Sequence, residues 1–233
     1  MRNNKLVVLT GAGISAESGL LTFRDSGGLW EGYDVNEVAS IEGWNNNPEK
    51  VLDFYNLRRK QAAEAEPNAA HKALVKLESK FDVIVITQNV DDLHERAGSS
   101  RVLHLHGKLN LACSEKNLDL VEDIGNRSIQ IGDKASDGEQ LRPAIVWFGE
   151  LVPLMEKASE LISKADFLMV VGTSLAVYPA ASLIHFCKAD VQKFIIDPNI
   201  PYIDHAEEWW ITQATASEGV PEVVDQLLSL KNF

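Results

Sequence analysis

The sequence is poor in cysteine and has no long apolar run. Cys113 and Cys187 are the only cysteines among its 233 residues, which excludes a disulfide framework. No apolar stretch approaches the roughly 20 residues that a transmembrane helix needs. Residues 1–4 lead into a strand-like segment without the apolar region of a signal peptide. These absences predict a cytoplasmic protein with no membrane partner.

Positive charge is also scarce. Lysine and arginine contribute 22 residues against 34 aspartates and glutamates, which gives a net charge of −12. Such a chain repels the backbone of a nucleic acid, so nucleic acid is not an expected partner. A basic, lysine-rich protein would be attracted to it, although the same acidic residues can simply form a solvated surface.

Continuous apolar runs alternate with helical segments along most of the chain. Runs of this kind indicate parallel strands covered on both faces, and the alternation predicts an α/β fold with a doubly wound, mostly parallel, Rossmann-like sheet. The strand-like runs cover residues 6–10, 83–88, 102–105, 144–147, 167–172 and 194–196. The helical segments cover residues 68–80, 152–165, 179–188 and 221–230.

Two segments interrupt this alternation and predict a small inserted lobe. They are residues 31–67 and residues 108–141. A cleft between such a lobe and the main domain is a usual place for substrate. The main domain would then comprise residues 1–30, 68–107 and 142–233.

Each inserted segment has its own structural signals. Pro48 begins a helix that continues over residues 49–66, and Pro67 ends it. In the other segment, residues 128–131 alternate like a short strand and residues 133–138 form a turn. We therefore expect a helical insertion and a reduced hairpin.

Residues 5–30 predict a phosphate-binding cradle. A strand ends at Gly11, which permits a tight turn, Gly13 lets the backbone approach a pyrophosphate, and the small Ala16 allows the following helix to pack closely. An ordinary dinucleotide fold would next show a second strand that ends in an acidic residue, and no such strand follows here. The chain continues instead with aromatic and cationic residues, which indicates a loop that closes over a nucleotide: Thr22, Phe23, Arg24 and Trp30.

Polar residues follow the apolar run at residues 83–88. Side chains at the carboxyl end of a parallel strand face the ligand crevice, and Asn89 and Asp91, two residues apart, could share one direction. An amide and a carboxylate in that position suit a carboxamide and a ribose diol. The alternative is that both residues only cap a short helix over residues 92–96.

His104 and His106 lie two residues apart at a strand end, so they share one face. Either could be a general base near neutral pH. Two alternatives stay open from the residues alone. Each histidine could be structural, or the pair could bind a metal together with Asp92 or His94.

Tyr55 and Arg58 lie at positions i and i+3 of the predicted helix, which puts both on one face. Arginine can bind a carboxylate through two hydrogen bonds, and a tyrosine hydroxyl can add a third. The alternative is a buried aromatic residue beside a solvated arginine.

Two further strand ends carry candidate ligand-binding residues. Gly172, Thr173 and Ser174 offer backbone N–H and hydroxyl groups to a phosphate or a ribose. Asp197 could accept hydrogen bonds from ribose hydroxyls, or it could be a turn residue before Pro198.

Five ordered segments carry a family signature. They read GAGISAESGLLTFRDSGGLW, TQNVDDLHERAG, VLHLHG, RPAIVWFGE and GTSLAVYPAA. Together they closely resemble the sirtuins, which are NAD-dependent protein-lysine deacylases. The resemblance implies that the acyl oxygen attacks the ribose carbon bearing nicotinamide, and that the products are nicotinamide, free lysine and O-acyl-ADP-ribose. Transfer of ADP-ribose to protein or water, and a non-catalytic NAD-binding module, stay open as alternatives.

The resemblance implies roles for individual residues. His106 resembles the catalytic histidine, Asn89 resembles the residue that binds ribose and orients water, and Asp91 resembles the carboxylate of the nicotinamide pocket. The other positions implied to contact NAD are Gly11, Ala12, Gly13, Ser15, Ala16, Thr22, Phe23, Arg24, Trp30, Gln88, Val90, Gly172, Thr173, Ser174, Asp197 and Ala216.

The helix around Tyr55 and Arg58 resembles a particular class of the family. Its segment FYNLRR is similar to the Tyr-x-x-Arg signature of class III sirtuins, in which the pair binds the distal carboxylate of succinyl-, malonyl- or glutaryl-lysine. The small residue Ala16 matches the same class. The resemblance thus implies acyl-lysine proteins or peptides as substrates, with acetyl-lysine as a further candidate.

One departure from the family concerns metal. Sirtuins usually carry four cysteines that hold a structural zinc between the histidine segment and the FGE segment. Residues 108–141 contain only Cys113 and no histidine, whereas a closed zinc site needs four thiolate or imidazole ligands. We therefore expect no metal and a metal-free hairpin lobe.

Overall fold

The computed structural model describes residues 4–20 and 32–230, and the backbone of residues 29–30. Its strands are β1 Lys5–Thr10, β2 Leu29–Trp30, β3 Tyr33–Asp34, β4 Asp82–Thr87, β5 Val102–His104, β6 Gly107–Ser114, β7 Val121–Asp123, β8 Leu141–Ile145, β9 Phe167–Val171, β10 Gln192–Ile196 and β11 Trp209–Thr212. Its helices are α1 Gly13–Ala16, α2 Val35–Val38, α3 Ile41–Asn46, α4 Pro48–Glu64, α5 Ala69–Leu77, α6 Leu93–Ala97, α7 Met155–Ser163 and α8 Ala216–Ser229.

Six parallel strands form the main sheet, in the order β11-β10-β9-β1-β4-β5. Counted along the chain, these are strands 6-5-4-1-2-3, which is the order of a doubly wound dinucleotide-binding sheet. The order reverses between β1 and β9, and ligands of such sheets bind beyond the carboxyl ends of the strands at the reversal. The predicted doubly wound, Rossmann-like fold is confirmed.

Helices cover the main sheet on both faces. On one face α5 and α8 pack together, and their core includes Leu74 and Val224. On the other face α7 and a 3₁₀ segment, Ala180–Phe186, bury Ile162 and Leu183. Double coverage explains why the central strands are apolar throughout. Within the described ranges, no helix combines the length and the apolar character that crossing a membrane requires.

Residues 33–64 and 107–147, called the small lobe below, contain helices and a separate antiparallel sheet. The helix predicted over residues 49–66 is α4, which begins at Pro48 behind the cap residue Asn47. The Asn47 side chain accepts a hydrogen bond from Lys50 N at 3.0 Å. A three-stranded sheet of order β7-β6-β8 faces this helix. The apolar cluster that fills the lobe includes Trp44, Phe54, Ile129 and Trp147.

The structure corrects two strand predictions in this region. The run at residues 144–147 predicts a strand of the parallel sheet, but β8 ends at Ile145 and pairs antiparallel with β6. Residues 128–131 form no strand, because the side-chain amide of Asn56 binds the two backbone groups of Ile129. Asn56 Oδ1 accepts from Ile129 N and Asn56 Nδ2 donates to Ile129 O, each at 2.9 Å.

Three features of the main domain also differ from prediction. The helix predicted over residues 179–188 is the 3₁₀ segment already described. The last helix begins at Ala216, so Pro221 lies inside α8. The sequence does not predict strand β11, because this strand lacks a continuous buried run. It lies at the edge of the sheet, where Trp210 and Ile211 are exposed.

Gly107 is the first residue of β6, and the neighbouring strand β8 leaves no room there for a side chain. Its φ is 83°, and an added Cβ would lie 1.9 Å from the carbonyl oxygen of Ala144. Gly132 also has a positive φ, of 98°, but no atom of the described residues lies within 4 Å of a Cβ added there. We predict that Gly132→Ala lowers the free energy of unfolding by about 1–2 kcal/mol and that Gly107→Ala lowers it far more. Urea denaturation measures both, and equal losses would contradict the role of the Ala144 contact.

Candidate active site

A cavity of about 580 Å³ lies beyond the carboxyl ends of the main sheet, beside the small lobe. Its volume is typical of small-molecule sites. Every described residue that the sequence assigns to NAD or the acyl group lines it: Gly11, Ala12, Gly13, Ser15, Ala16, Tyr55, Arg58, Gln88, Asn89, Val90, Asp91, His106, Gly172, Thr173, Ser174, Asp197 and Ala216. The remaining candidates lie outside the described residues: Thr22, Phe23, Arg24 and the side chain of Trp30.

The turns after β1 and β9 touch each other on the floor of this cavity. Gly11 N donates to Val171 O at 3.0 Å, and Gly13 N donates to Gly172 O at 2.8 Å. A Cβ on Gly13 would lie 2.7 Å from Gly172 Cα, and one on Gly172 would lie 2.4 Å from Ile14 N. These glycines therefore permit a contact between two turns, whereas the sequence pattern explains Gly13 by the approach of a pyrophosphate.

Ser15 joins Asn89 and Asp91 into one buried network. Its Oγ donates to Asp91 Oδ2 at 3.1 Å and accepts from Asn89 Nδ2 at 3.1 Å. Burial raises the pKa of Asp91, and hydrogen bonds from Leu93 N and Ser15 Oγ act in the opposite direction. Asp91 Oδ1 accepts from Leu93 N at 3.1 Å, so Asp91 supports the first turn of α6 and lines the cavity as well.

His106 has the geometry of a general base. Its Nδ1 lies 3.0 Å from Gln88 O, and a carbonyl oxygen can only accept a hydrogen bond. Nδ1 therefore carries the proton, and Nε2 keeps a lone pair. Burial lowers the pKa of His106, with the hydrogen bond to Gln88 opposing it. The ring is consequently neutral near pH 7 and can accept a proton.

His94 and His104, which flank the same site, form hydrogen bonds with other residues of the chain. His104 is buried, with Nδ1 3.0 Å from Asn89 O and Nε2 2.9 Å from Glu95 Oε1. His94 Nε2 lies 3.1 Å from Thr10 Oγ1, and burial lowers the pKa of His94 to about 3. In the part of the chain that the structure describes, no group of three or more His, Cys, Asp or Glu side chains is arranged to hold a metal ion.

Tyr55 and Arg58 both line the cavity from α4, as does Ala16 from α1. The Tyr55 hydroxyl accepts from Trp147 Nε1 at 3.0 Å. Burial raises the pKa of Tyr55, so the phenol stays protonated and has its own proton to donate. Arg58 is only 6% exposed, and its Nη1 donates to Gln61 Oε1 at 3.2 Å. The alternative of a solvated arginine therefore does not hold.

Trp147 and Glu150 line the cavity although the sequence assigns them no role, and Arg142 contacts both. Arg142 donates to both carboxylate oxygens of Glu150, at 2.7 and 3.0 Å. Its guanidinium lies 3.4 Å from the centre of the Trp147 ring. All three belong to the segment RPAIVWFGE, but their stacking arises only because the chain folds back after β8.

Asp197 lies at the opposite side of the cavity from His106, after β10. Its carboxylate is buried, and Oδ1 accepts from Asn199 N at 2.8 Å. The residue also lines the cavity, so a turn-stabilising role and a ligand-binding role are compatible. Ala216, the first residue of α8, lines the cavity from the neighbouring element.

Cys113 lies in the small lobe as a structural thiol. Its Sγ is 3.9 Å from Pro143 O, and burial raises the pKa of Cys113 to about 11. A protonated thiol is a poor metal ligand. A hydrogen bond from Ser114 Oγ to Asp137 Oδ2, at 2.6 Å, links the neighbouring turns.

The sequence matches the Sir2 family over residues 11–179, more than half of the chain. The NAD-dependent protein deacylase of Helicobacter pylori is 59% identical over 193 residues, which cover 83% of this chain and 82% of that protein. The NAD-dependent protein deacylase of Bacteroides thetaiotaomicron is 49% identical over 228 residues, covering 96% and 97%. The chain belongs to the Sir2 family, the sirtuins.

Solved structures show the same likeness. A Sir2 homologue in complex with NAD has a TM-score of 0.85 and 37% identity, covering 97% of this chain and 90% of that chain. The Sir2–p53 peptide–NAD+ complex has a TM-score of 0.79 and 30% identity, covering 96% and 93%. The likeness therefore spans nearly the whole chain rather than the parallel sheet alone.

We predict that the purified protein contains no stoichiometric zinc. Residues 108–141 provide one cysteine and no histidine, and the Cys113 thiol is protonated. Elemental analysis of protein purified without chelator should find far less than one zinc per chain, and EDTA should leave Tm unchanged. One tightly bound zinc per chain, lost together with thermal stability, would show that ligands come from elsewhere.

Proposed function

We propose that this sirtuin uses NAD to remove acyl groups from protein lysines, and that it prefers acyl groups ending in a carboxylate. Succinyl, malonyl and glutaryl groups fit this description, and acetyl is a weaker substrate. The observation that carries the proposal is one cavity lined by a neutral base, His106, and by the pair Tyr55 and Arg58. The deacylase relatives support the reaction, and the NAD complex of a homologue supports the cosubstrate.

The polar groups of the cavity fit NAD lying across the edge of the sheet. His106 follows β5 and Asp197 follows β10, four strand spacings away, which is about 19 Å. Asn89 and the glycine turns lie between them. Because the base has to meet the reactive ribose, we assign the nicotinamide end to His106, the pyrophosphate to the turns, and the adenosine to Asp197 and Ala216.

NAD, when bound, supplies an electrophilic ribose carbon and a nicotinamide leaving group. Asn89 and Asp91 would orient the ribose and the carboxamide, since Ser15 already holds both side chains in one network. His106 Nε2 would take a proton from a ribose hydroxyl, because Nδ1 is committed to Gln88 O. The expected products are nicotinamide, free lysine and O-acyl-ADP-ribose.

Tyr55 and Arg58 would hold the distal carboxylate of the acyl group. Trp147 Nε1–H occupies one lone pair of the Tyr55 oxygen, so the Tyr55 proton is available to a carboxylate. The guanidinium of Arg58 would add a charge-assisted hydrogen bond, which is worth about 1.5–3 kcal/mol. An acetyl group has no carboxylate and gains nothing from either residue.

Product analysis tests the reaction type. Deacylation yields O-acyl-ADP-ribose in step with free lysine peptide, whereas ADP-ribosyl transfer and NAD hydrolysis release nicotinamide without it. Acylated lysines of cytoplasmic proteins are the substrates we propose. Nicotinamide release that does not depend on an acyl peptide would overturn the deacylase proposal.

His106→Ala should lower kcat for deacylation by about 10²–10⁴-fold, the usual effect of removing a general base. The ring lines the cavity and bonds to the protein through Gln88 O, so the fold should survive its loss. Chromatography of the acyl peptide measures the rate, and circular dichroism checks the fold. His185→Ala, at an exposed histidine of the 3₁₀ segment, is the matched control and should keep wild-type activity.

The pH dependence gives a second check on the same base. Burial lowers the pKa of His106, so the ring stays unprotonated as pH falls through the ordinary histidine value of about 6.5. The acid loss of kcat should therefore begin below that value. A folded His106→Ala protein with near-normal kcat would show that His106 is not the general base.

Arg58→Met should lower kcat/KM on succinyl-lysine peptide by roughly 10- to 150-fold while leaving acetyl-lysine much less affected. The reason is the lost bond to the distal carboxylate. Tyr55→Phe should act in the same direction but more weakly. Arg127→Met, at an exposed arginine of the small lobe, is the control and should change neither substrate. Equal losses on both substrates would make Arg58 structural.

A further inference from the structure

His104 has no part in the function described above, although it lies beside the site. It is buried behind the cavity wall, with Nδ1 3.0 Å from Asn89 O. His106, two residues further, binds the preceding carbonyl, Gln88 O, at the same distance of 3.0 Å. Two histidines thus hold consecutive carbonyls of the turn that presents Asn89 to the cavity.

Each ring nitrogen of His104 faces a hydrogen-bond acceptor. Nδ1 faces the carbonyl oxygen of Asn89, and Nε2 faces Glu95 Oε1 at 2.9 Å. Neither a carbonyl nor an ionised carboxylate can donate. A neutral imidazole has one N–H and makes one of the two bonds, so both bonds coexist only in the imidazolium.

Glu95 is well suited to be the anchor of that ring. Burial acts to raise the pKa of Glu95, but hydrogen bonding and charge from His104 and a bond from Lys108 outweigh it and hold the pKa at about 2. Lys108 Nζ lies 2.6 Å from Glu95 Oε1. The other titratable groups that act on His104 are Asp91 and His94, of which His94 is neutral.

Two further hydrogen bonds hold Asn89, one at its backbone N–H and one at its side chain. Asn89 N donates to Thr87 Oγ1 at 3.0 Å, and Asn89 Nδ2 donates to Ser15 Oγ at 3.1 Å. The backbone N–H, the carbonyl and the side chain are therefore each held by a different residue. Releasing the carbonyl lets the peptide rotate, and displacements of about 1 Å at a reacting site can cost about 10²-fold in rate.

We propose that His104, anchored by Glu95, is a positioning residue that fixes the Asn89 peptide and thereby aligns the Asn89 side chain for the reaction. The inference rests on the proposed role of Asn89. It assigns to His104 no contact with NAD or with the acyl peptide.

The test compares kcat and KM for NAD among His104→Gln, Glu95→Gln and Glu95→Ala. His104→Gln and Glu95→Ala should lower kcat about tenfold or more with little change in KM. Glu95→Gln should keep near-normal kcat, because the introduced amide can donate to a neutral Nε2 while Nδ1–H still holds Asn89 O.

Exposed residues of the same types provide the controls. His185→Gln, and Glu160→Gln in the exposed Glu160–Lys164 pair, should match wild type in kcat and KM. Normal kcat in His104→Gln would overturn the proposal. Equal losses in Glu95→Gln and Glu95→Ala would also overturn it, because a purely structural role gives that result. Should His104→Gln fail to fold, the comparison of Glu95→Gln with Glu95→Ala still decides.

Asn89→Ala separates this inference from the function on which it rests. An inactive Asn89→Ala protein together with a normal His104→Gln protein would remove the positioning role alone. An active Asn89→Ala protein would remove the role of Asn89 and the positioning role with it.

Discussion

The contact between the turns after β1 and β9 is the constraint on which the site depends. Gly13 N bonds to Gly172 O, and the two backbones lie so close that a Cβ on either glycine would overlap the other turn. This contact closes the floor of the cavity at the reversal of the strand order. The residues after β4 and β10, Asn89 and Asp197, then lie on either side of that floor. The two glycine turns therefore lie at the centre of the site, between Asn89 and Asp197.

A second set of contacts fixes the small lobe against this floor. Arg59 Nε on α4 donates to Leu109 O at 2.6 Å, and Leu109 N donates to Val90 O at 2.8 Å. These bonds connect α4, β6 and the turn after β4 in one chain. Tyr55 and Arg58 lie on the same helix as Arg59, so their positions relative to the Asn89 turn depend on these bonds. Polar contacts and the apolar cluster of the lobe together hold α4 against β6 and the turn after β4.

The buried histidines show how the surroundings decide the chemistry of one residue type. His71 and His94 are fully buried with ring centres 4.9 Å apart, and burial lowers their pKa values to about 4 and about 3. They are neutral packing residues behind the cavity. His106 has one committed nitrogen and one nitrogen with a lone pair, which suits a base. His104 faces two acceptors, which suits an anchor.

Local sequence determined much of this protein. Apolar runs and glycine turns indicate the doubly wound sheet, Pro48 marks the start of α4, and the spacing of Tyr55 and Arg58 puts both on one face, because each signal depends on neighbouring residues only. The tertiary structure decided the rest: the antiparallel pairing of β8, the Asn56 amide that replaces a strand at Ile129, and the bond between Trp147 and Tyr55. It also decided which histidine reaches the cavity: β5 ends at His104, so the period of two that predicts a shared face does not extend to His106, which lies in the following turn and lines the cavity. Such pairings join residues far apart in the chain, so only the packed fold brings them within bonding distance.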